Sequence, residues 1–152
     1  MVVDARVHRA SVDFVVCAGG GASEAFDIGG VVAPVREVEL DADVLFASGS
    51  AEISAPADAM ISHIAEILTP HPNAVIVEGH TDNRPISTPQ FPSNWELSIA
   101  RSLSVVRYLI EQGIPKNRLV AAGHAEFHPR DTGASEEAFQ RNRRVEVRFL
   151  EN

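Results

Sequence analysis

From residue 35 onward the apolar positions of this chain switch repeatedly between a spacing of two and a spacing of three to four. A period of two fits a strand with one buried face, and a period of 3.6 fits a helix with one apolar stripe. In "VREVELDADVLF" (35–46), Val35, Glu37 and Glu39 alternate with Arg36, Val38 and Leu40, a strand expected to end before "ASGS". Ser54 and Pro56 open a helix in which Ala57, Ile61, Ile64 and Leu68 recur at helical spacing, and Thr69-Pro70 stops it. "NAVIVEG" (73–79) is a short apolar strand bounded by turn residues.

Ser93 and Glu96 form an S-x-x-E capping box, which starts a second helix with Leu97, Ala100, Leu103, Val105, Val106 and Ile110 inward. Gly113 and Pro115 end it. "NRLVAAG" (117–123) reads as a third strand, and a short helix at about 135–142 precedes "RRVEVRFLE". There Val145, Val147 and Phe149 alternate with Arg144, Glu146 and Arg148, which predicts one buried and one wet face. The order β-α-β-α-β-α-β implies an α/β (α+β) two-layer sandwich, with helices on one face of a mixed sheet.

A chain of 152 residues is long enough for one domain that buries roughly 70% of its unfolded surface. Residues 17–30, "CAGGGASEAFDIGG", hold five of the ten glycines and no sustained period, so 1–33 reads as an N-terminal linker and 34–152 as the domain. Val12, Phe14 and Val16 alternate and allow one short strand before that linker. Cys17 is the only cysteine, which excludes an intrachain disulfide and a cysteine metal cluster. No apolar run reaches the ~18 residues of a membrane span. Asp4, Arg6, His8, Arg9 and Asp13 interrupt any signal-peptide core, so an extracytoplasmic role implies sequence beyond this piece. The net charge of −8 gives nucleic acid no general support as a partner. The cations are nonetheless concentrated: residues 101–152 carry nine Lys and Arg against seven acids, and residues 1–100 carry four against fourteen.

Three chemistries compete for the polar groups around "GHTDNR" (79–84). His80, Asp82, His124, Glu126 and His128 suit a metal by type, but their spacings match no ligand set on one element. Histidines hydrogen-bonded to backbone at a sheet edge are the commoner outcome, so no metal or other cofactor is expected. Hydrolysis lacks a strand–turn–serine elbow for Ser93 or Ser98, and nothing puts Asp82 or Glu96 in an apolar pocket, so no enzyme is expected. The third chemistry is recognition. Asn94, Leu97 and Arg101 share one helical stripe, from which Arg101 can approach Asp82 across a cleft. The pair is either a structural ion pair or the two ends of a zwitterion site, Asp82 for an ammonium and Arg101 for a carboxylate.

"GHTDN" (79–83), "FPSNWELS" (91–98), "GHAEFHP" (123–129) and "NRRVEV" (142–147) appear in the order found in OmpA-like peptidoglycan-binding domains, which residues 36–150 resemble. The family helix pattern N-x-x-L-S-x-x-R-A-x-x-V-x-x-x-L is met by Asn94, Leu97, Ser98, Arg101, Val105 and Leu109, with Ser102 in place of alanine. "FPSNWELS" points to the flagellar-stator branch, the C-terminal domains of the MotB and MotD type. The resemblance implies noncovalent binding of the peptidoglycan stem peptide, with Asp82 and Arg101 on the ammonium and carboxylate of diaminopimelate. Thr81, Asn94, Leu97 and Arg143 are the further expected site residues, and strand parity with Val145 turns Arg143 toward the helices.

The resemblance also implies a periplasmic location, a homodimer, and a membrane-embedded, MotA-like stator partner for the full-length protein. A cell-wall tether without a motor is the alternative. Departures are visible: Gly49 replaces an asparagine found in some members, Phe139 replaces a common arginine, and His124 stands where an aromatic is usual. Phe91 and Trp95, in a lengthened loop, are expected under the ligand, at the pocket rim or at a subunit contact.

Overall fold

In a computed structural model of the chain, residues 13–16, 27–28, 31–32 and 35–150 are described, with side chains from Glu37 to Phe149. The elements are β1 (Asp13–Val16), β2 (Asp27–Ile28), β3 (Val31–Val32), β4 (Val35–Asp41), α1 (Ala42–Leu45), α2 (Ala57–Leu68), β5 (Val75–His80), α3 (Asn94–Glu111), β6 (Leu119–Gly123), α4 (Glu136–Asn142) and β7 (Arg144–Leu150). Most of the segment read as a linker, 1–33, lies outside the described residues. Its expected strand is present as β1, parallel to β6.

The main sheet has the order β1-β6-β5-β7-β4 and is mixed. β5 runs parallel to β6, while β7 is antiparallel to both β5 and β4. The expected α/β sandwich with a mixed sheet is therefore the observed one. The strand expected over 35–46 stops at Asp41, whose carboxylate accepts from the Asp43 N–H at 2.8 Å and caps the one-turn α1. One face of the sheet presents Leu40, Val75, Val77, Leu119, Ala121, Val145, Val147 and Phe149 to the helices. Ile61, Ile64 and Leu68 of α2 and Val105, Val106 and Leu109 of α3 complete that core.

The stripe α3 buries is Asn94, Leu97, Ser98, Arg101, Ser102, Val105, Val106 and Leu109. Ala100, Leu103 and Ile110, expected inward, are only partly buried. Close approach explains the rotation. A Cβ on Gly79 would collide with the Ser98 backbone, and one on Gly123 would collide with Ile99 and the Ser98 hydroxyl. Glycines on the strands and serines on the helix let backbone meet backbone at the ends of β5 and β6. Past α3, Gly113 adopts φ +99° and the Ile114 N–H reaches the Leu109 carbonyl at 3.0 Å, closing the helix as expected.

The other face of the sheet also differs from expectation. Arg144, Glu146 and Arg148, expected in water, are 4%, 5% and 8% exposed. The segment after β6 folds back over them: the His128 carbonyl accepts from Arg144 Nη2 at 2.8 Å. Arg130 Nη2 reaches Glu37 at 2.7 Å, Glu39 at 3.0 Å and Glu146 at 2.9 Å. The alternation marks two buried faces, one apolar and one ionic.

Candidate functional site

β5 ends at His80, and the chain turns so that Thr81 and Asp82 sit beneath the first turn of α3. Thr81 is held twice: its N–H donates to the Ala125 carbonyl at 2.9 Å and its hydroxyl to the Asp82 carbonyl at 2.8 Å. Ala125 itself adopts φ +52°, a conformation costly for any residue with a Cβ. The Ser98 hydroxyl accepts its N–H at 3.1 Å and holds it there. Asn94 Nδ2 donates to the Arg84 carbonyl at 3.1 Å and to the Asp82 carbonyl at 3.4 Å, fixing the loop to the helix start. Ser93 caps that start by accepting from the Trp95 N–H at 3.2 Å, and its hydroxyl donates to the Glu96 carboxylate.

Asp82 is 7% exposed and is the centre of a charge cluster. Its Oδ2 accepts from Arg143 Nη1 at 2.7 Å and from Arg84 Nη2 at 3.0 Å and Nε at 3.2 Å, while Oδ1 accepts the Arg84 N–H at 2.9 Å. Burial pushes this carboxyl's pKa up. The hydrogen bonds from Arg143 and then Arg84 outweigh that and hold it below its ordinary range. Arg143 also grips Asp43 through Nε and Nη2, both at 3.0 Å, and its guanidinium is held well above its ordinary pKa, with Asp43 the largest cause.

Arg101 is 5% exposed and lies over the Phe46 ring at 5.1 Å. Its Nε donates to the Ser50 carbonyl at 2.8 Å and its Nη2 to the Ala47 carbonyl at 3.3 Å. Burial pushes its pKa down, opposed by the nearby charges of Asp43 and Asp82. Among the described residues no carboxylate lies within ion-pair distance of it. The Asp82–Arg101 contact weighed from the sequence as a structural ion pair does not form: Asp82 is taken by Arg143 and Arg84, and Arg101 by backbone.

Thr81, Asp82, Asn94 and Arg143 thus meet at the exit of β5, with Arg101 in the same electrostatic environment. Leu97, 6% exposed, packs within the buried stripe of α3. Two participants were absent from the sequence-level reading. Asp43 lies 100 positions from Arg143 and carries no local motif. Arg84 was visible in "GHTDNR", but its role depends on Phe139, over whose ring it sits at 4.7 Å, and on Glu136, which it meets at 2.9 Å. Phe91 is 4% exposed, so it is not a rim residue; Trp95 is half-buried and stacks on Phe127, which is 52% exposed. Gly49, with φ +66°, occupies a backbone region that asparagine tolerates better than other side chains, consistent with exchange between the two.

The family model for OmpA matches residues 45–143. YtxE of Bacillus subtilis is 40% identical over 119 residues, covering 78% of this chain and 47% of that protein. Motility protein B of Bacillus subtilis is 35% identical over 109 residues, covering 70% and 42%. The chain spans about half the length of these curated relatives. Among solved structures, the cell wall anchor of the T6SS from Pseudomonas aeruginosa superposes with a TM-score of 0.74 at 36% identity, covering 83% of this chain and 87% of that one.

Proposed function

The chain belongs to the OmpA family, a family of peptidoglycan-binding domains, and from that premise we propose that it anchors a flagellar stator unit to the cell wall by gripping the diaminopimelate of the stem peptide. One observation carries the reading. Arg101 is a nearly buried guanidinium bonded to two backbone carbonyls, and among the described residues no carboxylate is in contact with it, although the charges of Asp43 and Asp82 act on it. A buried guanidinium with no carboxylate in direct contact is only partly compensated by charges farther off, and an incoming carboxylate in bidentate contact offsets the remaining cost. The ligand ammonium goes to Asp82. Arg84, whose side chain is 48% exposed, stands where that ammonium would sit and is the group that gives way. Arg143 stays, because its second carboxylate, Asp43, holds it in place and so orients Asp82.

Thr81 and Asn94 shape the loop that presents Asp82, and Leu97 fixes the helix that presents Arg101. No bond is made or broken, so the protein acts as an anchor and not as an enzyme. The proposal includes a periplasmic location, a homodimer, and a MotA-like membrane partner for the full-length protein. No helix among the described residues is long and apolar enough to cross a membrane, so the anchoring helix of such a protein would lie in other sequence.

The likeness to the T6SS cell wall anchor favours a second reading, a wall tether with no motor. Deleting the gene separates them: loss of swimming with flagella still assembled supports the stator role, and normal swimming supports the tether. Pelleting with purified sacculi tests the pocket itself. Asp82→Asn and Arg101→Ala are each expected to abolish co-sedimentation, and Arg101→Lys to restore little of it, since an ammonium lacks the guanidinium fork. Co-sedimentation of both Asp82→Asn and Arg101→Ala at the wild-type level would reject the assignment.

A further inference from the structure

The ionic face of the sheet holds a group of side chains that the wall-binding pocket does not use. Glu78 and His80 lie two apart on β5 and so share that face, and His124 leaves β6 beside them, its N–H donating to the Gly79 carbonyl at 2.9 Å. The rings of His80 and His124 are stacked, with centroids 4.7 Å apart and planes 10° from parallel. His128 stands edge-on to both, 4.8 Å from His124 and 6.1 Å from His80. One donor atom from each of Glu78, His80 and His124 lies within 4.8 Å of the others.

His80 and His124 are 4% and 8% exposed, yet none of their four ring nitrogens has a hydrogen-bond partner among the described residues. The nearest carboxylates, Glu146 to His80 and Glu78 to His124, are each 3.7 Å away, too long for a hydrogen bond. The expectation of backbone-bonded edge histidines is therefore not met. Two buried imidazoles with four empty nitrogens are costly in any fold and call for a missing partner.

We propose that Glu78, His80 and His124 form a binding site for a divalent transition-metal ion of the zinc class, with His128 or water as fourth ligand. Two imidazoles and one carboxylate match that class, which favours nitrogen with some oxygen. Metal–nitrogen distances of about 2.0–2.1 Å put neighbouring donors roughly 3.3 Å apart, so binding requires the donors to draw in from up to 4.8 Å and the stacked rings to tilt until their in-plane lone pairs converge on one ion. Glu146, behind His80, is positioned to orient that ring from the outer shell. Glu78 keeps one oxygen for Arg148, 3.7 Å away, and turns the other toward His124. The other candidate cluster, Glu37, Glu39 and Glu146, already receives the Arg130 guanidinium.

Titration calorimetry of tag-free, chelator-treated protein with Zn²⁺ tests the site, with Co²⁺ absorption reporting coordination geometry. One equivalent is expected to bind and raise the thermal midpoint, and Co²⁺ is expected to give a low-symmetry visible spectrum. His124→Phe restores the aromatic that the family usually has there and is expected to weaken binding at least about tenfold. Glu78→Gln, which keeps the shape of the side chain, is expected to do the same and serves if the first variant folds poorly. Absence of saturable binding overturns the proposal. So does wild-type Zn²⁺ affinity in the folded Glu78→Gln variant, which would put the ion on exposed groups such as His63 and Glu66. Wall binding is a separate readout, because none of the three ligands belongs to the Asp82–Arg101 pocket.

Discussion

Arg84 satisfies Asp82 through three contacts, yet half of its side chain is in water and its other partner, Glu136, is more exposed still. Exposed ion pairs contribute little, about 0–1 kcal/mol, so Arg84 is the cheapest group at the site to move. Arg84→Ala is accordingly expected to strengthen sacculus binding severalfold by removing a competitor for Asp82; a binding curve weaker than wild type would instead make Arg84 a ligand contact. Asp82 supplies a pH signature. Its folded pKa lies below its ordinary value of 3.8, so its stabilising contribution is complete above that value and is lost as pH falls through the folded pKa. Wild type should exceed Asp82→Asn in urea-unfolding free energy by about 1–2 kcal/mol at pH 7, and the two curves should converge in strong acid. A gap that persists at the lowest pH would mean that packing, not charge, holds the loop.

At the scale of elements, the seat of α3 on the ends of β5 and β6 sets the distance between Asp82 and Arg101. Gly79→Ala drives a methyl into the Ser98 backbone, which cannot rotate away, and is expected to cost about 3 kcal/mol in urea unfolding. Ser93→Ala removes one cap and is expected to cost about 1 kcal/mol, with wall binding weakened only in proportion. Equal losses in the two variants would show that the glycine contact is no tighter than an ordinary cap.

The same element shows what the sequence made legible. Caps and stops follow from local chemistry, and Ser93, Gly113 and Pro115 could be read without coordinates, whereas the strand read over 35–46 gave way at Asp41 to a one-turn helix. The buried stripe of α3 could not, because Ser98 and Ser102 count as polar until Gly79 and Gly123 are known to lie against the helix. Arg144, Glu146 and Arg148 misled for a related reason: alternation reports two different faces but not what covers each one. The fold-back of His128 and Arg130 is a long-range event with no periodic signal. Asp82 and Arg101 were legible as site candidates by type and motif, whereas Asp43 and the docking of Arg84 on Phe139 exist only in three dimensions.

On the scale of the whole molecule, a pocket of the proposed kind, holding one amino-acid zwitterion, would offer few contacts, and displacing Arg84 would subtract from them. A motor anchor must resist sustained force, so the proposed function needs more than one such grip. A dimer supplies it: once one subunit holds the wall, the second meets further stem peptides at an effective concentration set by the linker, and avidity can rise by 10²–10⁴-fold. The chain spans about half the length of its curated relatives, which carry further sequence outside the matched part. Fusing the whole chain to a parallel two-stranded coiled coil through a flexible linker tests this arithmetic. Retention on sacculi is expected to rise by at least about 10²-fold over the unfused domain. A heterodimer with Arg101→Ala in one arm is expected to fall back to single-domain retention, because the loss removes the second grip without touching the first. Equal retention for the single domain, the homodimer and the one-armed heterodimer would mean that the pockets cannot reach the wall together, and anchoring strength would then have to come from a surface other than the Asp82–Arg101 pair.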